Sequence, residues 1–158
     1  MVKPQMENRD GARTIASRCG LSTECVFMEE LAGMDLTEYD CVIVDEAQFL
    51  TEEQVDLLAE VVDRYDLPVI CYGLRTDFTS HLFTGSKRLM EVANYIEEVP
   101  TVCWCGRRAH FNARVCDGKI VRDGEQIMMG GNESYVSVCR RHFLSGEVNG
   151  VRERDIQE

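Results

Sequence analysis

One segment constrains the fold more than any other: residues 41–73, CVIVDEAQFLTEEQVDLLAEVVDRYDLPVICYG. Cys41, Val42, Ile43 and Val44 form a short apolar run of β-branched character, the texture of a buried strand. Thr51, with Gln54 three residues on, makes a capping box that starts a helix. Val55, Leu58, Ala59 and Val62 then recur at i, i+3, i+4 and i+7, which is one helical face. Leu67-Pro68 ends that helix, and PVICYG (68–73) is a second apolar run bounded by Pro and Gly. Strand, helix and strand with short links form a βαβ unit, and such a unit belongs in a parallel sheet.

The rest of the chain is organised around this unit. The first forty residues have weak periodicity and read as loop, with a short strand around Thr14–Ser17 and a short helix within 24–33. Residues 74–85, LRTDFTSHLFTG, form a loop rich in functional groups. A helix follows in SKRLMEVANYIEE, with Ser86 as N-cap and Leu89, Val92, Ala93 and Ile96 facing inward. VPTVC (99–103) reads as a third strand. Beyond it the texture changes to short strands and turns, and Asp117-Gly118 between ARVC and KIVR is a hairpin signal. The expected domains are an α/β part over 1–100, a small β-rich part over 101–146, and a charged, disordered tail over 147–158.

Asp45 and Glu46 follow the first apolar strand at once. Ligands of open parallel sheets bind outside the carboxyl ends of the strands. There an acid can help hold Mg²⁺ beside a nucleoside triphosphate, and its neighbour can take a proton from the attacking hydroxyl. Alternation along extended chain aims two adjacent carboxylates differently, which permits separate roles. Two other readings stand beside this one. Acids near a helix N-terminus are favoured by the macrodipole, and DEAQ also matches the DEAx box of helicases.

The cysteines divide by spacing. Cys103-Trp104-Cys105 makes one close thiol pair, and Cys139-Arg140-Arg141-His142 supplies a thiol and an imidazole far down the chain. Two such knuckles provide three thiolates and one imidazole for a tetrahedral, structural Zn²⁺. They flank a β-rich segment with little core of its own. Cys19, Cys25, Cys41, Cys71 and Cys116 lack a paired ligand and read as packing residues. His81 and His110 are lone residues. A formal net charge of -11 disfavours a nucleic-acid polymer as partner. No stretch has the length of a membrane-spanning helix, and the N-terminus has no apolar signal core, so the expected location is cytoplasmic.

With these motifs assembled, the chain resembles the cellular-type, zinc-bearing thymidine kinases. The stretches VIVDEAQF (42–49), VICYGLRTDF (69–78), CWCGRRA (103–109) and GGNESYVSVCRRH (130–142) carry the likeness, and KPQMENR…SRCGL (3–21) matches more weakly. The CxC…CxxH ligand set resembles the enterobacterial branch. The resemblance implies an α/β fold with a P-loop-type parallel sheet and a zinc-binding lasso domain. It implies transfer of the ATP γ-phosphoryl to the thymidine 5′-hydroxyl in nucleotide salvage, with deoxyuridine as a possible second substrate. Glu46 takes the place of the general base and Asp45 that of the Mg²⁺-orienting acid, with Ala47 and Gln48 beside the nucleotide. Phe49, Leu74 and Phe78 correspond to the nucleoside pocket, Gln126, Ile127 and Met128 to the lasso over the base, and Tyr135 to the residue that closes it. Arg9, near Glu7, matches sugar- and phosphate-side contacts. Cys103, Cys105, Cys139 and His142 are the zinc set, and a homotetramer is implied. Loop-to-core packing is the other reading of Phe49, Leu74 and Phe78.

One family element is missing from the sequence. G-x-x-x-x-G-K-[ST] does not occur in these 158 residues: Gly85-Ser86-Lys87 has the wrong order, and Gly118-Lys119 is followed by Ile120. The chain is expected to begin after the family's first strand and phosphate loop, and so to lack the phosphate-binding lysine and the Mg²⁺-binding hydroxyl. Poor ATP binding and very low kinase activity follow as expectations, unless another polypeptide supplies the loop. A catalytically inactive, zinc-stabilised module for nucleoside binding or oligomerisation is the alternative function.

Overall fold

The computed structural model describes residues 1–5, 13–17, 19–126 and 134–148. The chain divides into two compact units, Met1–Arg75 with Leu82–Ile96, and Thr76–His81 with Glu97–Glu158.

In the first unit, strand β1 (Val2–Lys3) is followed by β2 (Thr14–Ala16), β3 (Ser22–Glu24) and β4 (Val26–Phe27), then a 3₁₀ helix Met28–Gly33. Next come β5 (Val42–Val44), a 3₁₀ turn Ala47–Phe49, helix α1 (Glu52–Tyr65), β6 (Val69–Cys71) and helix α2 (Thr84–Val92). Four strands make one sheet in the order β4-β1-β5-β6. Every pairing in it is parallel, and β5 meets β6 with Val42 opposite Val69 and Val44 opposite Cys71. β2 and β3 pair separately as an antiparallel hairpin. The sequence-derived βαβ unit is therefore present, and β1 and β4 extend it from a region read as mostly loop.

Helix α1 starts as its capping box requires. The Thr51 hydroxyl accepts from the Gln54 amide and the Gln54 side chain accepts from the Thr51 amide, which satisfies two otherwise orphaned donors. Its buried face is Val55, Leu58 and Val61. Ala59 and Val62, expected on that face, are only half-buried. Val44, Leu50, Val55 and Leu58 meet Val2, Met28 and Leu31 in one core, so the sheet is held by apolar burial worth roughly 1.5–3 kcal/mol per large side chain.

Helix α2 departs from expectation. It begins at Thr84 with Phe83 in the N-cap position and no side-chain cap. Ser86 lies inside the helix, and its hydroxyl donates to the Leu74 carbonyl at 2.6 Å. A tertiary acceptor outcompetes the local capping role. Leu89 and Val92 pack on the core, but the helix ends at Val92, and Ala93 and Ile96 are exposed.

Gly85 allows α2 to cross the 47–50 turn at backbone contact. A Cβ there would lie 2.6 Å from the Ala47 carbonyl oxygen and 2.8 Å from that of Leu50. Both obstacles are main chain and cannot swing aside. Gly→Ala in a helix is normally worth about 1 kcal/mol in favour of alanine. Here the clash reverses the sign, and Gly85→Ala is expected to destabilise by about 1–3 kcal/mol. A lowered urea midpoint at unchanged m-value is the readout; a raised midpoint would refute the close crossing.

In the second unit, β7 (Thr101–Val102) pairs antiparallel with β8 (Arg108–Ala109). The expected strand over 99–103 is thus a two-residue ribbon edge and joins no parallel sheet. β9 (Phe111–Cys116), β10 (Lys119–Ile120) and β11 (Ser134–Val138) form an antiparallel sheet in the order β10-β9-β11. Asp117 (φ 49°) and Gly118 (φ 73°) make the β9–β10 turn, the two left-handed residues that an Asp-Gly hairpin supplies. Helix α3 (Arg140–Ser145) follows. Among the described residues no helix is long and apolar enough to cross a membrane.

Candidate functional site

The acids stand where β5 stops. Asp45 donates its amide to the Val2 carbonyl at 3.0 Å, which continues the β1–β5 ladder by one bond. Its Oδ1 accepts from the Glu46 amide at 3.0 Å. Glu46 then takes φ 52°, ψ 36°, a left-handed conformation that is costly for a residue with a Cβ and is found where surroundings over-determine it. Three contacts do so. The Ala47 amide donates to the Tyr72 carbonyl at 2.9 Å. The Gln48 side-chain amide donates to Glu46 Oε2. Gln48 Oε1 in turn accepts from the Leu74 amide at 3.0 Å.

Gln48 is 2 % exposed, so this is a buried amide fixing a carboxylate at one end and the chain after β6 at the other. Gly73 makes room for it. A Cβ at 73 would lie 2.6 Å from Gln48 Oε1. Asp45, Glu46, Ala47, Gln48 and Leu74 are thus brought together. Phe49 instead packs edge-on against Phe83, centroids 5.6 Å apart. Leu74 is exposed. A cavity of about 440 Å³ lined by Met1, Val26, Cys41 and Val42 among others lies at the amino ends of β1, β4 and β5, the end of the sheet away from the acids.

The second unit holds a separate group. Phe78 is buried, and the Arg114 guanidinium sits 3.7 Å over its ring. Arg114 Nε donates to the Tyr135 hydroxyl at 2.9 Å, and its Nη2 donates to the carbonyls of Glu125 and Gln126 at 3.0 and 3.3 Å. Gln126 Nε2 donates to Asp77 Oδ2 at 2.8 Å. Burial opposes ionisation of Asp77, yet hydrogen bonds from the Thr79 and Gln126 side chains and from the His81 and Thr79 amides outweigh it and hold the carboxyl below its ordinary range. Phe78, Gln126 and Tyr135 are therefore gathered by two residues, Arg114 and Asp77, that the sequence did not single out. An arginine in a short strand looks like a solvated charge. The one available signal is that Arg114 falls between Ala113 and Val115, two small apolar residues. Arg9, Ile127 and Met128 lie outside the described residues.

The metal-type cluster is compact. The ligand atoms of Cys103, Cys105, Cys139 and His142 all lie within 4.8 Å of one another, and all but Cys105 are buried. Cys103 Sγ is 3.3 Å and Cys139 Sγ 3.7 Å from His142 Nδ1, and Cys105 Sγ is 3.9 Å from Cys139 Sγ. Tetrahedral bonds of ~2.3 Å from zinc to sulfur separate neighbouring ligand atoms by ~3.8 Å, so the donor set fits that ion. Turns set the knuckles: Gly106 (φ 83°) closes one through its amide to the Cys103 carbonyl, and Cys139 is the N-cap of α3. The His142 amide, set against burial, helps to hold the Cys139 thiol below its ordinary pKa. Trp104 stacks on the His142 ring at 4.2 Å and 10°. Of the cysteines read as packing residues, Cys25 is buried and Cys71 and Cys116 are half-buried, but Cys19, in the connection between β2 and β3, and Cys41, one residue before β5, are exposed.

Fold and clusters together define a mixed α/β protein with adjacent acids at the carboxyl end of a parallel strand and a Cys₃His metal-type set. The family model described as thymidine kinase matches residues 1–143. The thymidine kinase of Pasteurella multocida (strain Pm70) is 48% identical over 147 residues, covering 87% of this chain and 77% of its own. That of Yersinia pseudotuberculosis is 47% identical over 150 residues, covering 88% and 76%. That of Salmonella typhimurium is 43% identical over 163 residues, covering 95% and 80%. The chain belongs to the thymidine kinase family.

Proposed function

We propose that this chain acts in the transfer of the ATP γ-phosphoryl group to the 5′-hydroxyl of thymidine, giving dTMP in nucleotide salvage in the cytoplasm. The observation that carries the reading is Glu46, held in a strained left-handed turn at the end of β5 and tied by Gln48 to the chain after β6. Such a fixed carboxylate is suited to accept the hydroxyl proton as the new P–O bond forms. Asp45 is assigned to orient Mg²⁺, which neutralises charge on the phosphates when bound. Ala47 and Gln48 border the nucleotide. Phe49, Leu74, Phe78, Gln126 and Tyr135 are assigned to the nucleoside, with Arg9, Ile127 and Met128 by resemblance alone. Cys103, Cys105, Cys139 and His142 are assigned to one structural Zn²⁺ in a lasso domain of residues 101–146, beside an α/β domain of residues 1–100. A homotetramer and acceptance of deoxyuridine belong to the same reading.

A second reading is favoured by one specific feature. These 158 residues hold no G-x-x-x-x-G-K-[ST], the loop that cradles the triphosphate in P-loop enzymes. A polypeptide of this sequence alone is then a nucleoside-binding module with little turnover. Titration calorimetry with thymidine, and separately with Mg-ATP, distinguishes the cases. Thymidine is expected to bind while Mg-ATP binds weakly, with little ADP formed. Absence of thymidine binding would overturn the nucleoside assignment, and brisk ADP formation would overturn the second reading.

A further inference from the structure

Among the described residues Arg114 is the largest side chain wholly removed from solvent, at 0 % exposure. A buried cation is costly unless its surroundings replace the lost water. Its partners are specific. One edge of the guanidinium meets the Tyr135 hydroxyl, another meets two successive carbonyls at Glu125 and Gln126, and its face covers the Phe78 ring. Gly124 opens the same turn at φ 134°, a backbone conformation that residues with a Cβ rarely adopt, and a Cβ there would sit in ordinary contact, 3.6 Å from Arg114 Nη1. Asp77, one residue before Phe78, closes the circuit by accepting from Gln126. The strand register supports this, because Tyr135 is the direct cross-strand partner of Arg114.

The chemistry needs arginine. Its donors lie in a rigid planar fork, and its flat face stacks on an aromatic ring. Lysine keeps the charge but can neither bond in two directions in one plane nor cover Phe78. The groups so fixed are Phe78, Gln126 and Tyr135, the three described residues of this unit assigned above to the nucleoside. None of them belongs to the buried cluster of Cys103, Ala109, Ala113, Val138, Cys139 and Phe143. We propose that Arg114 is a positioning residue for nucleoside recognition. It sets the 124–126 turn, the Tyr135 ring and the 76–81 loop in one arrangement before the nucleoside arrives. This rests on the nucleoside assignment made above.

The test compares the unsubstituted chain with Arg114→Lys and Tyr135→Phe. It measures thymidine affinity by calorimetry, and hydrogen exchange of residues 76–81, 122–126 and 134–138 without nucleoside. Zinc content is the check on folding. Arg114→Lys is expected to keep its zinc and the protection of β9 and β11, to lose protection at 124–126, and to bind thymidine about tenfold to a hundredfold more weakly. Tyr135→Phe is expected to weaken binding less, and to add little when combined with Arg114→Lys. Unchanged exchange and unchanged thymidine affinity in Arg114→Lys overturn the proposal. If Arg114→Lys loses its zinc, Tyr135→Phe decides, since half-exposed Tyr135 can lose a hydroxyl without disturbing the core; full affinity there also overturns it. Failure of the unsubstituted chain to bind thymidine instead removes the nucleoside assignment itself, and Arg114's role in it.

Discussion

Removing Zn²⁺ by chelation from the site proposed at Cys103, Cys105, Cys139 and His142, or replacing Cys139 by Ser, is expected to unfold the second unit and leave the first folded. The reason is the size of what remains. The second unit's buried apolar cluster is Cys103, Ala109, Ala113, Val138, Cys139 and Phe143, so two of its members belong to the proposed metal set and two are alanines. Structural zinc sites contribute an apparent ~10–16 kcal/mol, more than such a core can replace. The first unit has its own core from Val2 to Leu67 with no ligand in it. The single tryptophan of the chain, Trp104, stacks on His142, so its fluorescence reads the site directly. Chelation should red-shift Trp104 emission, remove the β9–β11 sheet from exchange protection, and abolish thymidine binding, while α1 amides stay protected. The ligands must be deprotonated to bind metal, so the same transition should come at lower chelator concentration as pH falls. A second unit that keeps its exchange protection and Trp104 emission with no metal bound would refute the structural role.

How much of this was legible in the residues differs by element, for physical reasons. β5, α1 and β6 carry their signals locally: a β-branched run, a capping box and a proline stop act within a few residues. The Cys₃His set is equally local, since each knuckle is a turn with two donors. β1 and β4 were missed because two-residue strands have no period to detect, and their place in the sheet depends on β5 between them in space. The start of α2 was misplaced because Ser86 has a better partner in Leu74, a contact that exists only after folding. The inward face of α1 keeps Val55 and Leu58 but takes Val61 in place of Ala59 and Val62; i, i+3 and i+6 also fall on one side of a 3.6-residue helix, so apolar spacing alone does not choose between the two faces. At the candidate site Asp45 and Glu46 stood out through their position after an apolar strand. Gln48 was placed beside the nucleotide, but its bond to the Leu74 amide spans 26 residues and leaves no mark in either segment. Arg114 is the same case taken further. Every partner that defines it comes from another loop or strand.

The second large effect separates the proton from the phosphate. A strand–loop–helix unit carrying G-x-x-x-x-G-K-[ST], joined ahead of Met1, is expected to raise ADP formation with thymidine by about 10³-fold or more over the 158-residue polypeptide, since one preorganised donor alone is worth ~10²–10³. In that joined protein Glu46→Gln should lower kcat by about 10²–10⁴, the usual contribution of a positioned general base, with the KM for thymidine within a few-fold. The substitution is close to isosteric, and the Gln48 amide can still find an oxygen on the new side chain. The left-handed turn is therefore retained and only the proton acceptor is lost. Asp45→Asn should behave differently. It keeps the acceptor for the Glu46 amide but weakens the hold on the metal, so its defect should shrink as Mg²⁺ is raised, and the Glu46→Gln defect should not. Equal recovery of both variants at high Mg²⁺ would mean that the two carboxylates share one role. A kcat unchanged by Glu46→Gln would mean that the strained turn at the end of β5 serves the fold and takes no proton.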